Sequence, residues 1–120
     1  MRKFICFLAF LGYFIYPSVT MADIPPRSTN SHSTSDLIAL YASRFNVSEE
    51  LMNSIIRCES GFKTDAVSPT HDYGISQIHI SSWGITKKQA FDKEFSIKFL
   101  AEKLSQGGGH YWSCYRHLST

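Results

Sequence analysis

The sequence predicts a small, mostly α-helical domain, and three features of the apolar pattern lead to this prediction. Apolar residues recur at spacings of three and four in segments that begin near residues 36, 48 and 92, which is typical of amphipathic helices. A capping residue or a glycine bounds these segments. No alternation of apolar and polar residues long enough for a strand stands out. The 120 residues are enough for one small helical core.

The first predicted helix begins near Asp36, which can act as its N-cap, and ends at Asn46. Segment 23–35, before this helix, is rich in Pro, Ser and Thr and has almost nothing to bury, so we predict a flexible tether. The folded domain is predicted over residues 36–120. The apolar stripe of the first helix is formed by Leu37, Ile38, Leu40, Tyr41 and Phe45.

The second predicted helix runs from its N-cap, Ser48, to a stop at Gly61. Its apolar stripe continues from Leu51 through Ile55 and reaches Glu59 four residues later, in the last helical turn. Burial disfavours a carboxylate, and so does the partial negative charge at a helix C-terminus. The position therefore favours an acid that donates a proton. The alternative is an ordinary solvated Glu at a frayed helix end.

The remaining elements follow from local signals in the sequence. After a loop to Tyr73 we predict a short helical stretch over residues 75–82, which Gly84 ends. The segment 86–89 matches a capping box for a short helix, and Asp92 can cap a final helix that ends at the glycines 107–109.

The first 22 residues have the pattern of a secretory signal peptide. Arg2 and Lys3 precede an apolar run from Phe4 to Tyr16, which is shorter than the roughly 20 residues of a membrane-spanning helix. We expect cleavage before Asp23, a periplasmic or secreted protein, and no stable membrane insertion afterwards. Without Arg2 and Lys3, ten basic residues face ten acidic ones, and no large basic cluster remains. This balance disfavours a nucleic-acid partner.

Two cysteines, Cys58 and Cys114, lie in the part of the chain that we expect to be exported. In an oxidising compartment such a pair is typical of a disulfide, and two buried free thiols are the alternative.

Three motifs follow one another in the middle of the chain: Glu59-Ser60-Gly61-Phe62, then Ala66-Val67-Ser68, then Tyr73-Gly74-Ile75-Ser76-Gln77-Ile78. Together they resemble the transglycosylase SLT domain, a branch of the lysozyme-like superfamily, and the likeness runs from about Leu37 to Leu104. The resemblance implies a lysozyme-like fold with a glycan cleft and an enzyme that cleaves peptidoglycan strands between MurNAc and GlcNAc, leaving a 1,6-anhydro end.

By the same resemblance Glu59 is the catalytic acid, Ser60 steadies the site beside it, and Gln77 lines the cleft. Gly74 would let the backbone approach a ligand or a neighbouring helix, although a plain turn glycine is the alternative. The chain departs from the family pattern at Ser76, where an apolar residue is usual, and in its late aromatic motif, which leaves open which tyrosine orients the acid. Tyr73, Trp83, Tyr111, Trp112 and Tyr115 form an aromatic set suited to stacking on sugars or to packing in the core; from this set, Tyr73 and Tyr115 are our predicted substrate-binding residues.

Asp72 is the candidate for a second acid, because ordinary glycoside hydrolysis uses two carboxylates. A lysozyme-type hydrolase with Asp72 is therefore one alternative, and an inactive glycan-binding module is another. His71, His79, His110 and His117 lack the tight spacing of metal ligands, so we predict neither a metal nor another cofactor. The small domain suggests a specialised task, such as wall opening for a secretion or conjugation machine, or a phage-encoded one.

Overall fold

The computed structural model describes residues 32–118, and within them the predicted mostly α-helical fold is confirmed. The predicted signal peptide and tether residues 23–31 lie outside the described residues. Two short strands form the one sheet of this part of the chain. In chain order the elements are α1 (Thr34–Phe45), α2 (Glu49–Ser60), β1 (Asp72–Tyr73), β2 (Ile78–His79), α3 (Ile80–Trp83), α4 (Lys87–Phe91), α5 (Lys93–Ser105), a 3₁₀ helix (Gly108–Tyr111) and α6 (Ser113–Leu118).

The first helix begins earlier than the sequence predicted. Ser33, not Asp36, is the N-cap of α1, and the two residues form a capping box. The Asp36 amide donates to Ser33 Oγ at 3.1 Å, and the Ser33 amide donates to Asp36 Oδ2 at 3.3 Å. The prediction of Asp36 as the N-cap was wrong because Asp36 is already in the first helical turn, where its carboxylate accepts the hydrogen bond from the backbone N–H of the true N-cap, Ser33. The predicted end at Asn46 is confirmed, with left-handed backbone there.

The second helix has the predicted boundaries. Ser48 Oγ accepts a hydrogen bond from the Leu51 amide at 3.1 Å, and Gly61 ends the helix with a φ of 59°. Met52, Ile55 and Ile56 are fully buried on its inner face.

The core lies where α1 packs against α2 and α5. The predicted cap of α5 is confirmed, since Asp92 Oδ1 accepts from the Phe95 amide at 2.7 Å. Each buried aliphatic side chain of this size stabilises the fold by roughly 1.5–3 kcal/mol. The fully buried aliphatic residues are Leu37, Ile38, Met52, Ile55, Ile56, Ile75, Ile78, Ile97 and Leu100.

The predicted helix over residues 75–82 was wrong in its first half, because residues 72–79 form a β-hairpin. Asp72 pairs with His79 and Tyr73 pairs with Ile78 in antiparallel register. The Gln77 amide donates to the Gly74 carbonyl at 3.0 Å and closes the turn between the strands. Only Ile80–Trp83 is helical, and it ends at Gly84 as predicted.

Buried serines tie this hairpin to α5. Ser76 and Ser96 are both fully buried, and Ser76 Oγ donates to the Ser96 carbonyl at 3.0 Å while Ser96 Oγ accepts from the Ser76 amide at 3.2 Å. The Trp112 indole N–H donates to the Ser76 carbonyl at 2.6 Å. The unusual Ser at this position therefore has a polar partner for each of its groups, which makes its burial tolerable.

The last predicted helix ends at Gln106, and Gly107 follows with a φ of 78°. The chain then turns back through the 3₁₀ helix to α6, which packs on α2. Cys58 and Cys114 form a disulfide between these two helices, as the sequence predicts. Among residues 32–118, no helix has the length and apolar character needed to cross a membrane.

Candidate active site

A surface cavity of about 530 Å³ lies between the hairpin, the end of α2 and the C-terminal segment. Such a volume fits a drug-sized or sugar-sized ligand. Its lining includes two carboxyl groups, Glu59 and Asp72, and two basic side chains, His79 and Arg116. The other lining residues are Thr70, Gln77, Ile78, Ser82, Trp83, Tyr111, Trp112 and Ser113.

Glu59 reaches this cavity from the last turn of α2 and is half-buried rather than fully buried. Its Oε1 accepts a hydrogen bond from the Cys114 backbone N–H at 3.0 Å and a longer one from Ser113 Oγ at 3.4 Å. The donor of the shorter bond belongs to the residue that is disulfide-bonded to Cys58, next to Glu59 in the chain. The carboxyl group is therefore held by the start of α6 as well as by its own helix.

Ser60 lies beside Glu59 but does not line the cavity. Its hydroxyl lies 2.6 Å from the Ile75 carbonyl, in the hairpin turn, and 3.2 Å from the Ile56 carbonyl, one helical turn earlier. The single hydroxyl proton is best placed on the shorter contact. Ser60 thus ties the end of α2 to the hairpin, and its role of steadying the acid's surroundings stays a prediction.

Gln77 lines the cavity, as the resemblance implied, but its amide nitrogen is already engaged. Nε2 donates to the Ala66 carbonyl at 3.1 Å and to the Gly74 carbonyl at 2.9 Å. Two carbonyl partners identify this atom as the nitrogen. The side chain is almost fully buried and its backbone is left-handed, with a φ of 52°. Gln77 therefore holds the turn together, and Oε1 is the atom with which it can accept from a sugar hydroxyl.

Asp72 also lines the cavity, and three side chains donate to its carboxylate. His79 Nδ1 lies 2.8 Å from Oδ1, and the hydroxyls of Ser68 and Thr70 donate to Oδ2 at 2.9 and 2.5 Å. Burial raises the pKa of Asp72, but the hydrogen bonds from Thr70, Ser68 and His79 outweigh it and hold the pKa below its usual value. Asp72 is thus an ion fixed in place by its neighbours.

The structure does not bring Tyr73, Gly74 and Tyr115 to the cavity, although they were predicted to bind substrate. Tyr73 is buried and meets Phe91 edge to face, with ring centroids 5.7 Å apart. A Cβ on Gly74 would lie 1.8 Å from the Ala90 carbonyl oxygen in α4. The close approach of α4 to the hairpin therefore explains why this position has a glycine. Tyr115 packs its ring against Gly109, where a Cβ would lie 2.6 Å away.

Three of the five predicted aromatic residues do line the cavity, namely Trp83, Tyr111 and Trp112. Trp83 and Tyr111 meet edge to face at 4.8 Å, and the Tyr111 side chain is more than half exposed. Sequence reasoning missed several lining residues because long-range packing places them there. The hairpin register brings in His79, and the return of the C-terminal segment brings in Ser113 and Arg116. For His79 a signal existed, since it follows Asp72 by seven residues across a four-residue turn.

Within residues 32–118, no cluster of three or more His, Cys, Asp or Glu side chains has the arrangement of a metal site. Glu59 can exchange a proton, the Asp72–His79 pair can accept one, and aromatic faces can hold apolar faces of a ligand.

A small helical domain with a half-buried acid at a helix end, beside a cavity of this volume, is consistent with a lysozyme-like domain. The Transglycosylase SLT domain family matches residues 36–115, and the chain belongs to this family. Searches of curated proteins and of solved structures found no match. The family is that of lytic transglycosylases, and its substrate class is peptidoglycan.

Proposed function

We propose that this chain is a peptidoglycan lytic transglycosylase that cleaves the β-1,4 bond between MurNAc and GlcNAc with Glu59 as its catalytic acid. The observation that carries this proposal is the position of Glu59, half-buried at the wall of the cavity with a backbone N–H on one carboxyl oxygen. Because Oε1 accepts that hydrogen bond, the proton of the acid form belongs on Oε2.

In the first step Glu59 gives this proton to the glycosidic oxygen, and the bond from C1 of MurNAc to that oxygen breaks. The carboxylate that remains is stabilised by the Cys114 N–H, which needs no rearrangement because it is already 3.0 Å from Oε1. A positive charge develops at C1, and the carboxylates of Glu59 and Asp72 are the anionic groups of the cavity lining.

In the second step the 6-hydroxyl of the same MurNAc attacks C1, and Glu59 takes the hydroxyl proton. A 1,6-anhydro ring forms and Glu59 returns to its acid form, so no water is consumed. Trp83 and Tyr111 are the residues that we propose to stack on sugar rings, since both line the cavity and Tyr111 is exposed.

Asp72 as nucleophile is less well supported than the single-acid reaction. Both of its oxygens accept hydrogen bonds from the protein, and the depressed pKa makes it a weak base. A nucleophilic carboxylate needs an oxygen aimed at C1 of the sugar.

The test compares Glu59→Gln with the unchanged protein on purified cell-wall sacculi. We expect a fall of at least about a hundredfold in soluble muropeptides, because Gln keeps the shape but cannot donate the proton. Glu50→Gln, on the exposed first turn of the same helix, is the matched control and should retain full activity. Equal release by Glu59→Gln would instead indicate a binding module or another acid, and mass spectrometry should find the anhydro ends one water lighter than hydrolytic ends.

We also propose that residues 1–22 direct export and are removed, that the chain from residue 23 to Ser33, the N-cap of α1, forms a tether shorter than the predicted 23–35, and that the domain acts in the periplasm or outside the cell. The disulfide between Cys58 and Cys114 is compatible with this location. Local wall opening for a secretion or conjugation machine suits so small a domain. The mass of the exported protein tests the cleavage, which should leave Asp23 as the first residue.

A further inference from the structure

The Asp72–His79 pair is the cluster of ionisable side chains in the cavity that the proposed reaction leaves without a defined chemical role. The two residues are directly opposite each other in the antiparallel hairpin, so their side chains share one face. Tyr73 and Ile78, the neighbouring pair, are buried in the core. The hairpin thus presents an acid and an imidazole to the cavity together.

The hydrogen bonds of Asp72 define how the imidazole of His79 is protonated. Asp72 is held in its ionised form, and an ionised carboxylate only accepts hydrogen bonds. The 2.8 Å contact therefore requires a proton on Nδ1 of His79. In the neutral ring the other nitrogen, Nε2, then has a free electron pair.

His79 is accessible as well as oriented. Its side chain is 48% exposed, whereas that of Asp72 is 24% exposed, and both line the same cavity as Glu59. Ser68 and Thr70 hold Asp72 from the other side, so the carboxylate cannot turn away from the ring without breaking these bonds. Enzymes use the same arrangement, a histidine base whose orientation is fixed by a hydrogen-bonded carboxylate, to activate hydroxyl nucleophiles.

We propose that His79, oriented by Asp72, is a general base that activates water, so that this chain also cleaves glycan by hydrolysis and releases reducing ends beside anhydro ends. This inference rests on the proposed role of Glu59. Glu59 gives its proton to the glycosidic oxygen and the C1–O bond breaks; a water oxygen bonds to C1, and the surplus proton of that water moves to Nε2. His79 then returns this proton to solvent, Glu59 regains one, and one water is consumed for each bond cleaved.

In this scheme His79 is the catalytic residue and Asp72 is a positioning residue. Both products begin with the same protonation by Glu59, and they differ in which hydroxyl reaches C1 first. The 6-hydroxyl is supplied by the substrate itself, whereas water has to be deprotonated by the protein. Removal of the base should therefore change the ratio of the two kinds of end.

The experiment counts both kinds of end on sacculi whose existing reducing ends have been blocked with borohydride. After digestion, borodeuteride labels new hydrolytic ends, while anhydro ends cannot be reduced, and mass spectrometry measures each. We expect the unchanged protein to produce both, and His79→Asn to lower the labelled fraction at least about tenfold, as general-base catalysis contributes a hundredfold or more. His79→Gln is the second variant, and a matched thermal midpoint shows that each is folded.

His71→Asn is the control, since His71 is exposed, does not line the cavity, and has left-handed backbone that Asn accepts readily. It should leave the labelled fraction unchanged. For Asp72→Asn we expect the same loss of labelled ends, together with a change in the nitrogen-15 shifts of His79 as the proton leaves Nδ1. A purely structural role of Asp72 would not produce that change.

Unchanged protein that yields anhydro ends alone would overturn the inference, and so would labelled fractions in both His79 variants equal to that of the unchanged protein. Neither result affects the proposed function, which instead requires that Glu59→Gln lose both kinds of end. Full activity of Glu59→Gln would refute the proposed function whatever His79 does.

Discussion

The disulfide between Cys58 and Cys114 should contribute to stability and to catalysis, and replacing both cysteines by serine separates the two effects. The bond closes a loop with a sequence separation of 56 residues. Loop-closure entropy for that length corresponds to about 4 kcal/mol at 25 °C. We therefore expect Cys58→Ser/Cys114→Ser to lower the free energy of unfolding by about 4 kcal/mol in urea titration.

The catalytic effect follows from the contact that the disulfide adjoins. Cys114 supplies the N–H that donates to Glu59 Oε1 at 3.0 Å, and the bond to Cys58 holds that amide beside α2. A hydrogen bond to a charged group contributes roughly 1.5–3 kcal/mol, which corresponds to a fall in rate of about ten- to a hundredfold.

Muropeptide release should be measured below the thermal midpoint of the double variant, where circular dichroism shows it folded. Ser113→Ala is the comparison, since it removes only the 3.4 Å contact to Glu59, and it should reduce release less. A double variant that is folded and fully active would refute the role of the disulfide in holding the acid. A loss of stability below about 1 kcal/mol would refute the entropic account.

Two further predictions concern the hairpin. Gly74→Ala should lower the free energy of unfolding by about 3 kcal/mol, because the new Cβ would meet the Ala90 carbonyl oxygen and the φ of 81° disfavours a side chain. Gly84 has a φ of 63° and open space around it, so Gly84→Ala is the control and should lower the free energy of unfolding by about 1 kcal/mol. Equal losses in the two variants would contradict the clash at Gly74. Since the folded pKa of Asp72 is depressed, its stabilising effect is present above the ordinary value of about 3.9 and is lost as the pH falls through the folded value. The difference in unfolding free energy between the unchanged protein and Asp72→Asn should therefore shrink as the pH falls below the ordinary value and through the folded pKa of Asp72, and a constant difference would contradict the hydrogen-bond explanation.

The helices could be predicted from the sequence because their signals are local. A cap and its helix lie within three residues, so Ser48, Gly61 and Asp92 could be identified without knowledge of the fold. The start of α1 was missed by a few residues because Ser33 and Asp36 both have capping side chains. The hairpin was missed because its strands have two residues each, too few for an alternating pattern.

In the candidate site, too, residues within local motifs could be predicted from the sequence, whereas contacts made by long-range packing could not. The family motifs led directly to Glu59 and Gln77, which line the cavity, but they also suggested Tyr73 and Gly74, whose partners are in α4. The most important donor to Glu59 is a backbone N–H, at Cys114, which no side-chain pattern can indicate.

The hairpin register has a consequence for how this domain tolerates insertions and deletions. The side chains of Asp72 and His79 are partly exposed at the cavity, whereas those of Tyr73 and Ile78 are buried in the core, and the turn between the strands has four residues. A change of one residue in that turn would shift the pairing and reverse which side chains face inward. The turn should therefore keep its length among related chains even where its residues vary, because a one-residue change in strand register would bury a charged side chain and expose core side chains at the same time.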